Sequence, residues 1–207
     1  FGYEDARGQF TPVYTMEEQL YPQHYYQKPG LQESSTEEQE GEQTESYGAV
    51  DDLAIISNGE NRFVEFKAAM RWNTLTDQPD SKIEQSALKT LVAFMNSDGG
   101  TLYIGVQDSG KILGIQEDHF PSEDKFQLHF INLFNDKVGR QFSKYIHPEI
   151  IEVDGINIFK VVCERSDDPV FFLEKQRNDE FYVRQGPSSI SLSMSEYTDY
   201  AKDRFRK

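Results

Sequence analysis

From about residue 50 the chain alternates short apolar runs with polar breaks at spacings that predict regular elements. Phe63-Val64-Glu65-Phe66-Lys67 alternates apolar and charged residues, the period-two signature of a strand with one face in water. Ile83, Ala87, Leu88, Leu91, Phe94 and Met95 follow Ser81 at helical spacing. They predict a helix capped by that serine and stopped by Asn96-Ser97-Asp98-Gly99-Gly100. Thr101 to Val106 reads as a buried strand, and Asp108-Ser109-Gly110 as a tight turn into a short partner strand, Lys111 to Ile115. Phe126, Phe130, Phe134, Val138, Phe142 and Tyr145 recur every three or four residues, predicting a longer helix ended by His147-Pro148. Asp154-Gly155 joins the strands Ile150 to Val153 and Ile156 to Val162 in a hairpin. Strands over Val170 to Leu173 and Glu180 to Arg184 follow, then a helix from Ser195 to Phe205 capped by Ser193 or Ser195. The order predicts an α+β domain over residues 51–207, a mixed β-sheet with three main helices.

Upstream the pattern changes. Residues 1–31 carry aromatics (Phe10, Tyr14, Tyr21, Tyr25, Tyr26) without a sustained apolar period, and form a Tyr-rich N-terminal segment. Residues 32–50, rich in Glu, Gln, Ser and Thr, cannot bury enough apolar surface to offset ordering and read as an acidic flexible linker. This end holds much of the charge. The formal net charge is −15, and residues 1–59 carry 12 acids and 2 bases, leaving 24 acids and 19 bases for the rest. Such a balance excludes a protein that binds nucleic acid by bulk charge, and permits a local basic groove. The single cysteine, Cys163, excludes an intrachain disulfide framework and a multi-cysteine zinc site. No long apolar run predicts a membrane span, and the expected setting is cytoplasmic. The chain begins with Phe1, which reads as part of something longer, with room for an upstream effector domain.

Glu65 and Lys67, two apart on one strand, project to the same face. A carboxylate beside an ammonium suits metal-assisted phosphodiester cleavage, the carboxylate holding the cation and the lysine meeting the phosphate. Two solvated charges on an edge strand are the plainer account of the same triplet. Glu60 lies five residues before Glu65, an odd separation; the two converge only through a turn at Asn58-Gly59 or a bulge. Asp108 closes the following strand and is either a turn former or a third carboxylate at the strand end. Three oxygen ligands, Glu60, Glu65 and Asp108, favour Mg²⁺ or Mn²⁺ over zinc. No phosphate loop of the G-x-x-x-x-G-K-[ST] type occurs, the histidines show no paired ligand spacing, and Ser188-Ser189 reads as a turn. Arg184 alternates with Tyr182, a guanidinium and an aromatic suited to a phosphate or a base; Arg71 and Lys89 are further basic candidates.

Glu60-x4-Glu65-Phe-Lys67, Leu91-Val-Ala-Phe-Met-Asn96-Ser-Asp-Gly99-Gly100, Thr101-Leu-Tyr-Ile-Gly105-Val-Gln-Asp108 and Phe181-Tyr-Val-Arg184-Gln-Gly186-Pro-Ser188 together resemble the Schlafen domain, also called the AlbA-type DNA-binding domain, of the prokaryotic kind. The resemblance covers roughly residues 55–206. It implies metal-dependent cleavage of RNA such as tRNA, with two glutamates and an aspartate falling on Glu60, Glu65 and Asp108; prokaryotic relatives include DNA-binding proteins and members of antiphage defence systems. Gln107 departs from the pattern, where many members carry a second acid. Eukaryotic members pair two modules where this chain has one, so dimerisation to embrace RNA is an expected partner relation.

Two roles follow. In the first, Glu60, Glu65 and Asp108 hold Mg²⁺ or Mn²⁺, Lys67 contacts the scissile phosphate, and Arg71, Lys89, Tyr182 and Arg184 hold RNA or single-stranded DNA. In the second, the domain is a non-catalytic nucleic-acid-binding or oligomerisation module serving an upstream effector.

Overall fold

In the computed structural model, which describes residues 2–4, 10–12, 47–174 and 179–206, the chain forms two units, Phe1–Ser46 and Tyr47–Lys207. In the first, β1 (Gly2–Glu4) pairs antiparallel with β2 (Phe10–Pro12), Tyr3 opposite Thr11. Tyr14, Tyr21, Tyr25, Tyr26 and the acidic stretch 32–46 lie outside the described residues.

The second unit opens with α1 (Tyr47–Ser57), a helix that the apolar pattern does not announce. Its body is a four-stranded sheet in the order β3 (Val64–Lys67), β6 (Gly100–Ile104), β8 (Ile156–Cys163), β7 (Ile146–Val153). Strand β3 is parallel to β6, and the other pairs are antiparallel. Between β3 and β6 run a small hairpin, β4 (Trp72–Asn73) with β5 (Gln78–Pro79), and then α2 (Ser81–Asn96). The cap of α2 is Asp80, one residue before the serine expected, because the Asp80 carboxylate accepts from the Lys82 amide. Its apolar stripe, Ala87, Leu88, Leu91, Phe94 and Met95, is fully buried with Phe126, Phe130 and Phe134 of α3 (Glu123–Lys137) on one face of the sheet. The other face buries Val64, Phe66, Tyr103 and Ile158 with Ile56 of α1. There the Asp52 carboxylate accepts from Tyr103 Oη at 2.6 Å and Lys160 Nζ at 3.0 Å, tying α1 to β6 and β8.

The mixed-sheet α+β architecture stands, with several element boundaries moved. The long second helix ends at Lys137: Gly139 at φ 116° breaks it, and Arg140–Tyr145 continue as a 3-10 turn. His147-Pro148 lies inside β7, where proline is tolerated because β7 is an edge strand. The partner strand expected at Lys111 to Ile115 reduces to one bridge, Val106 to Ile112, since the Gly105 carbonyl takes the Leu113 and Gly114 amides and Ile115–Asp118 turn into a 3-10 helix. Of the two strands expected around Phe172 and Glu180, those residues make a single bridge and the strand proper is β9 (Tyr182–Gln185). Ser188-Ser189 is not a turn but the start of β10 (Ser188–Ser191), which pairs with β9 across Gly186-Pro187. The last helix, α4 (Met194–Arg204), begins in a capping box in which Ser193 and Glu196 satisfy each other's amides.

Candidate functional site

Strand β3 is one edge of the sheet, opposite β7, and its side chains build the site. Val64 and Phe66 turn to the buried α1 face, so Glu65 and Lys67 turn to the face that carries α2. Lys67 Nζ donates to Glu65 Oε1 and, at 3.0 Å, to the Phe66 carbonyl. The second oxygen of Glu65, Oε2, accepts from Arg184 Nη1 at 2.9 Å. Both oxygens of this carboxylate are therefore held by cations. Arg184 is the fixed partner, with a side chain only 2% exposed. Its other donors meet the Asn61 carbonyl at 2.8 Å, the Arg62 carbonyl at 3.4 Å and Ser189 Oγ at 3.0 Å. So placed, it joins β3, the turn before it and the β9–β10 hairpin.

Glu60 reaches the same strand by a different route. Asn61 and Val64 pair across a tight turn, which folds the chain back so that Glu60 Oε1 accepts from the Phe66 amide at 2.8 Å on the β3 edge. The turn that brings Glu60 back lies at Asn61–Val64, beyond Asn58-Gly59. Burial pushes the Glu60 carboxyl above its ordinary value; the Phe66 amide opposes this, Glu65 and Asp108 add to the rise, and Lys67 opposes it. Asp108 is exposed in the Gln107–Lys111 turn. Among the described residues no group of three or more His, Cys, Asp or Glu is gathered to hold a metal ion. The fit of Glu60, Glu65 and Asp108 to a divalent cation is thus incomplete as they stand, with Glu65 already neutralised by Lys67 and Arg184.

A cleft of about 520 Å³ opens beside Glu65, between α2 and the β9–β10 hairpin. Lys82 and Lys89, seven apart on one helix face, line it with Tyr182, Ser188 and Ser189. Lys89 Nζ pairs with Glu180 at 2.8 Å and sits 5.1 Å from the centre of the Tyr182 ring. Burial works against its ammonium, and hydrogen bonds to Glu180 and Tyr182 outweigh that, leaving its pKa above the ordinary lysine value. Burial likewise raises the Tyr182 phenol, whose Oη donates to Glu180 Oε2 at 2.8 Å. Glu65, Lys67, Lys89, Tyr182 and Arg184 are thus brought together. Arg71 is not: its guanidinium lies 3.6 Å over the Phe120 ring and donates to the carbonyls of Asp118 and His119.

Several residues that shape the site carry no signal in periodicity. Asn96, wholly buried, donates to the carbonyls of Val170 at 2.8 Å and Tyr182 at 2.9 Å and accepts from the Val170 amide at 2.9 Å, clamping β9 to the end of α2. Ser97 Oγ accepts from the Arg184 amide at 2.9 Å. A side chain at Gly100 would stand 2.7 Å from the Phe63 carbonyl and inside the Phe94 ring, so only glycine lets β6 lie beside β3 here. Lys82 is not among the sequence candidates; its seven-residue spacing from Lys89 is the signal that places it on the same helix face.

Comparison with known proteins adds the family. Residues 60–193 match the family described as Schlafen, AlbA_2. No curated protein matches the chain. Among solved structures, the DIP2311 protein of Corynebacterium diphtheriae superposes with a TM-score of 0.52 at 17% identity, over 75% of this chain and 31% of that one. The present chain thus spans about a third of that protein, and the likeness is one of fold. The N-terminal domain of a RecG-related DNA helicase protein of Nitrosomonas europaea matches at 20% identity over 70% of this chain and 92% of that one, with a TM-score of 0.40.

Proposed function

The chain belongs to the Schlafen, AlbA_2 family, and from that premise we propose that it is a nucleic-acid-processing module that takes a single strand of RNA or DNA into the cleft beside Glu65. Family membership supports a nucleic-acid-related role, and one observation carries the placement: the cleft of about 520 Å³ puts Lys82, Lys89 and Tyr182 next to the Glu65–Lys67 pair. Ammonium groups suit the backbone, an aromatic ring suits an unstacked base, and a cavity of this size suits nucleotides taken singly. Lys82→Ala with Lys89→Ala is expected to weaken binding of a labelled oligonucleotide at least about tenfold in anisotropy at low salt. Unchanged binding would sink the placement.

Endonucleolytic cleavage, in a defence setting or elsewhere, is the finer form of this reading. One observation favours it: the turn at Asn61–Val64 returns Glu60 to the strand that carries Glu65 and Lys67, with Glu60 Oε1 accepting from the Phe66 amide. The assay is incubation with tRNA and with single-stranded DNA in Mn²⁺, beside Glu65→Ala and Glu60→Gln. Cleavage lost in both variants supports an enzyme. Binding without cleavage supports the non-catalytic module, whether self-associating or joined to an upstream effector.

The described residues include no helix long and apolar enough to cross a membrane.

A further inference from the structure

The cleft beside Glu65 has a neighbour. Across the Gly186-Pro187 turn lies a second cavity of about 230 Å³, lined by Arg62, Phe63, Ser97, Asp98, Arg184 and Gly186. Pro187 lines the first cavity and Gly186 the second; Glu65 lines the first and its ion-pair partner Arg184 the second. The Gly186-Pro187 turn and the Glu65–Arg184 ion pair therefore lie between the two cavities.

Guanidinium groups line and flank the second cavity: Arg62 and Arg184 belong to its lining, and Arg165 stands outside the lining, on the far oxygen of Asp98. Arg62, 54% exposed, pairs with Asp98, and Arg165, 53% exposed, stands 3.9 Å from the other oxygen of the same carboxylate. Arg204 adds a third positive charge nearby, its Nε and Nη2 donating to the carbonyls of Met95, Ser97 and Ser166. Arg184 is neutralised by Glu65. Asp98 is 49% exposed and, with Asp167 acting on Arg204, is the acid opposing this group. In a chain of net charge −15, a cavity with this balance stands out.

We propose that this cavity is an anion site for a backbone phosphate of the strand whose neighbouring nucleotide lies in the Glu65 cleft. Arg62 and Arg165 are its ligands, and Asp98 is an internal competitor that holds them until the phosphate arrives. The inference rests on the reading of the cleft given above. Its chemistry is that of planar forks, which bind phosphate in two-point fashion better than they bind one another's counterion at a wet surface. Half-exposed ion pairs contribute little, so exchanging Asp98 for a phosphate costs little.

The test is anisotropy of a labelled short oligouridine over a salt series, with inorganic phosphate as a second probe. Arg62→Ala with Arg165→Ala is expected to weaken binding about tenfold at low salt and to flatten the slope of log K against log salt by about 0.7, one single-strand phosphate contact's worth. Asp98→Asn is expected to tighten binding about threefold, which loss of a merely structural aspartate would not do. Inorganic phosphate should shift the Nε–Hε signals of Arg62 and Arg165. If the arginine variant binds as well as the parent while Lys82→Ala with Lys89→Ala does not, this site is refuted and the cleft reading survives. If neither pair matters, both fall. If inorganic phosphate moves the arginine signals but the arginine variant leaves oligouridine binding unchanged, the cavity takes free phosphate and the proposal fails. Weaker binding by Asp98→Asn would overturn the competitor role.

Discussion

The two cations on Glu65 differ in what happens when the carboxylate is removed, and this makes Glu65→Gln a sharp probe. Lys67 is 20% exposed and can turn its ammonium to water. Arg184, at 2% exposed, cannot. With the carboxylate gone, the guanidinium keeps its bonds to the Asn61 and Arg62 carbonyls and Ser189, but it remains a buried charge without a counterion, beside Lys67. Breaking one partner of a buried pair costs about 3–5 kcal/mol. The glutamine can still accept one hydrogen bond, which argues for the lower end, about 3 kcal/mol. Lys67→Met leaves Glu65 on Arg184 and should cost about 1 kcal/mol or less. Glu65→Gln combined with Arg184→Met removes the orphaned charge and should recover part of the loss. The measurement is urea unfolding followed by circular dichroism, and the heat midpoint should fall by roughly 6–12 °C for Glu65→Gln. If Glu65→Gln lies within about 0.5 kcal/mol of the parent, or if Lys67→Met costs as much, the assignment of Arg184 as the buried anchor is wrong.

Other expectations follow from single contacts. Asn96→Ala strands the Val170 amide and two carbonyls and should cost about 3 kcal/mol in urea unfolding; a loss below about 1 kcal/mol would deny the clamp. Asp118, buried, accepts from the amides of Met70, Arg71 and Trp72. Asn there presents a donor to a donor and should cost about 2 kcal/mol. The sole tryptophan, Trp72, meets His119 edge-on at 4.4 Å, so His119→Ala should shift its emission in the folded protein; an unchanged spectrum would count against the contact. Glu60, raised in the fold, destabilises when ionised, so its penalty is present above its folded value and disappears as pH falls through that value toward the ordinary carboxylate range. Glu60→Gln should therefore be slightly more stable at pH 7, by a few tenths of a kcal/mol after solvent screening (~0.3), and equal below about pH 4. An advantage that grows on acidification would reverse the sign.

The strand Val64–Lys67 and the pairing of Glu65 with Lys67 were legible because period-two alternation is a local property. So was the Asp154-Gly155 hairpin, where Asp154 at φ 52° and Gly155 at φ 74° adopt the left-handed geometry such a turn needs. Arg71 was not, although it lies only four residues beyond Lys67. Its fate is decided by Asp118, 47 positions away, and by the ring of Phe120. Arg184 was read as a phosphate or base contact, because alternation with Tyr182 says nothing about which carboxylate waits across the fold. Glu60 shows the intermediate case: its odd spacing from Glu65 required a turn, and the turn exists at Asn61–Val64. The second cavity escaped notice for the same reason as Arg184: Arg62, Asp98 and Arg165 are scattered in sequence and meet only when β3 lies beside β6.

Because the cations of the first cavity are already paired, the mode of binding is constrained. Lys67 and Arg184 sit on Glu65, and Lys89 sits on Glu180. A phosphate that engages them must displace a carboxylate, an exchange that releases few counterions. Two positive charges remain that a strand can neutralise afresh: Lys82 at the cleft, and the one left over where Arg62 and Arg165 share the single carboxylate of Asp98. At about 0.7 per phosphate on a single strand, two phosphates give a slope of log K against log salt of about −1.4. A protein that binds by bulk charge would show a much steeper dependence, and a measured slope beyond about −5 would mean that basic residues outside these two cavities carry the strand. A slope of about −1.4 would instead explain how a domain with more acids than bases holds a polyanion: through a few placed cations, with Glu65, Glu180 and Asp98 keeping them from binding every phosphate they meet.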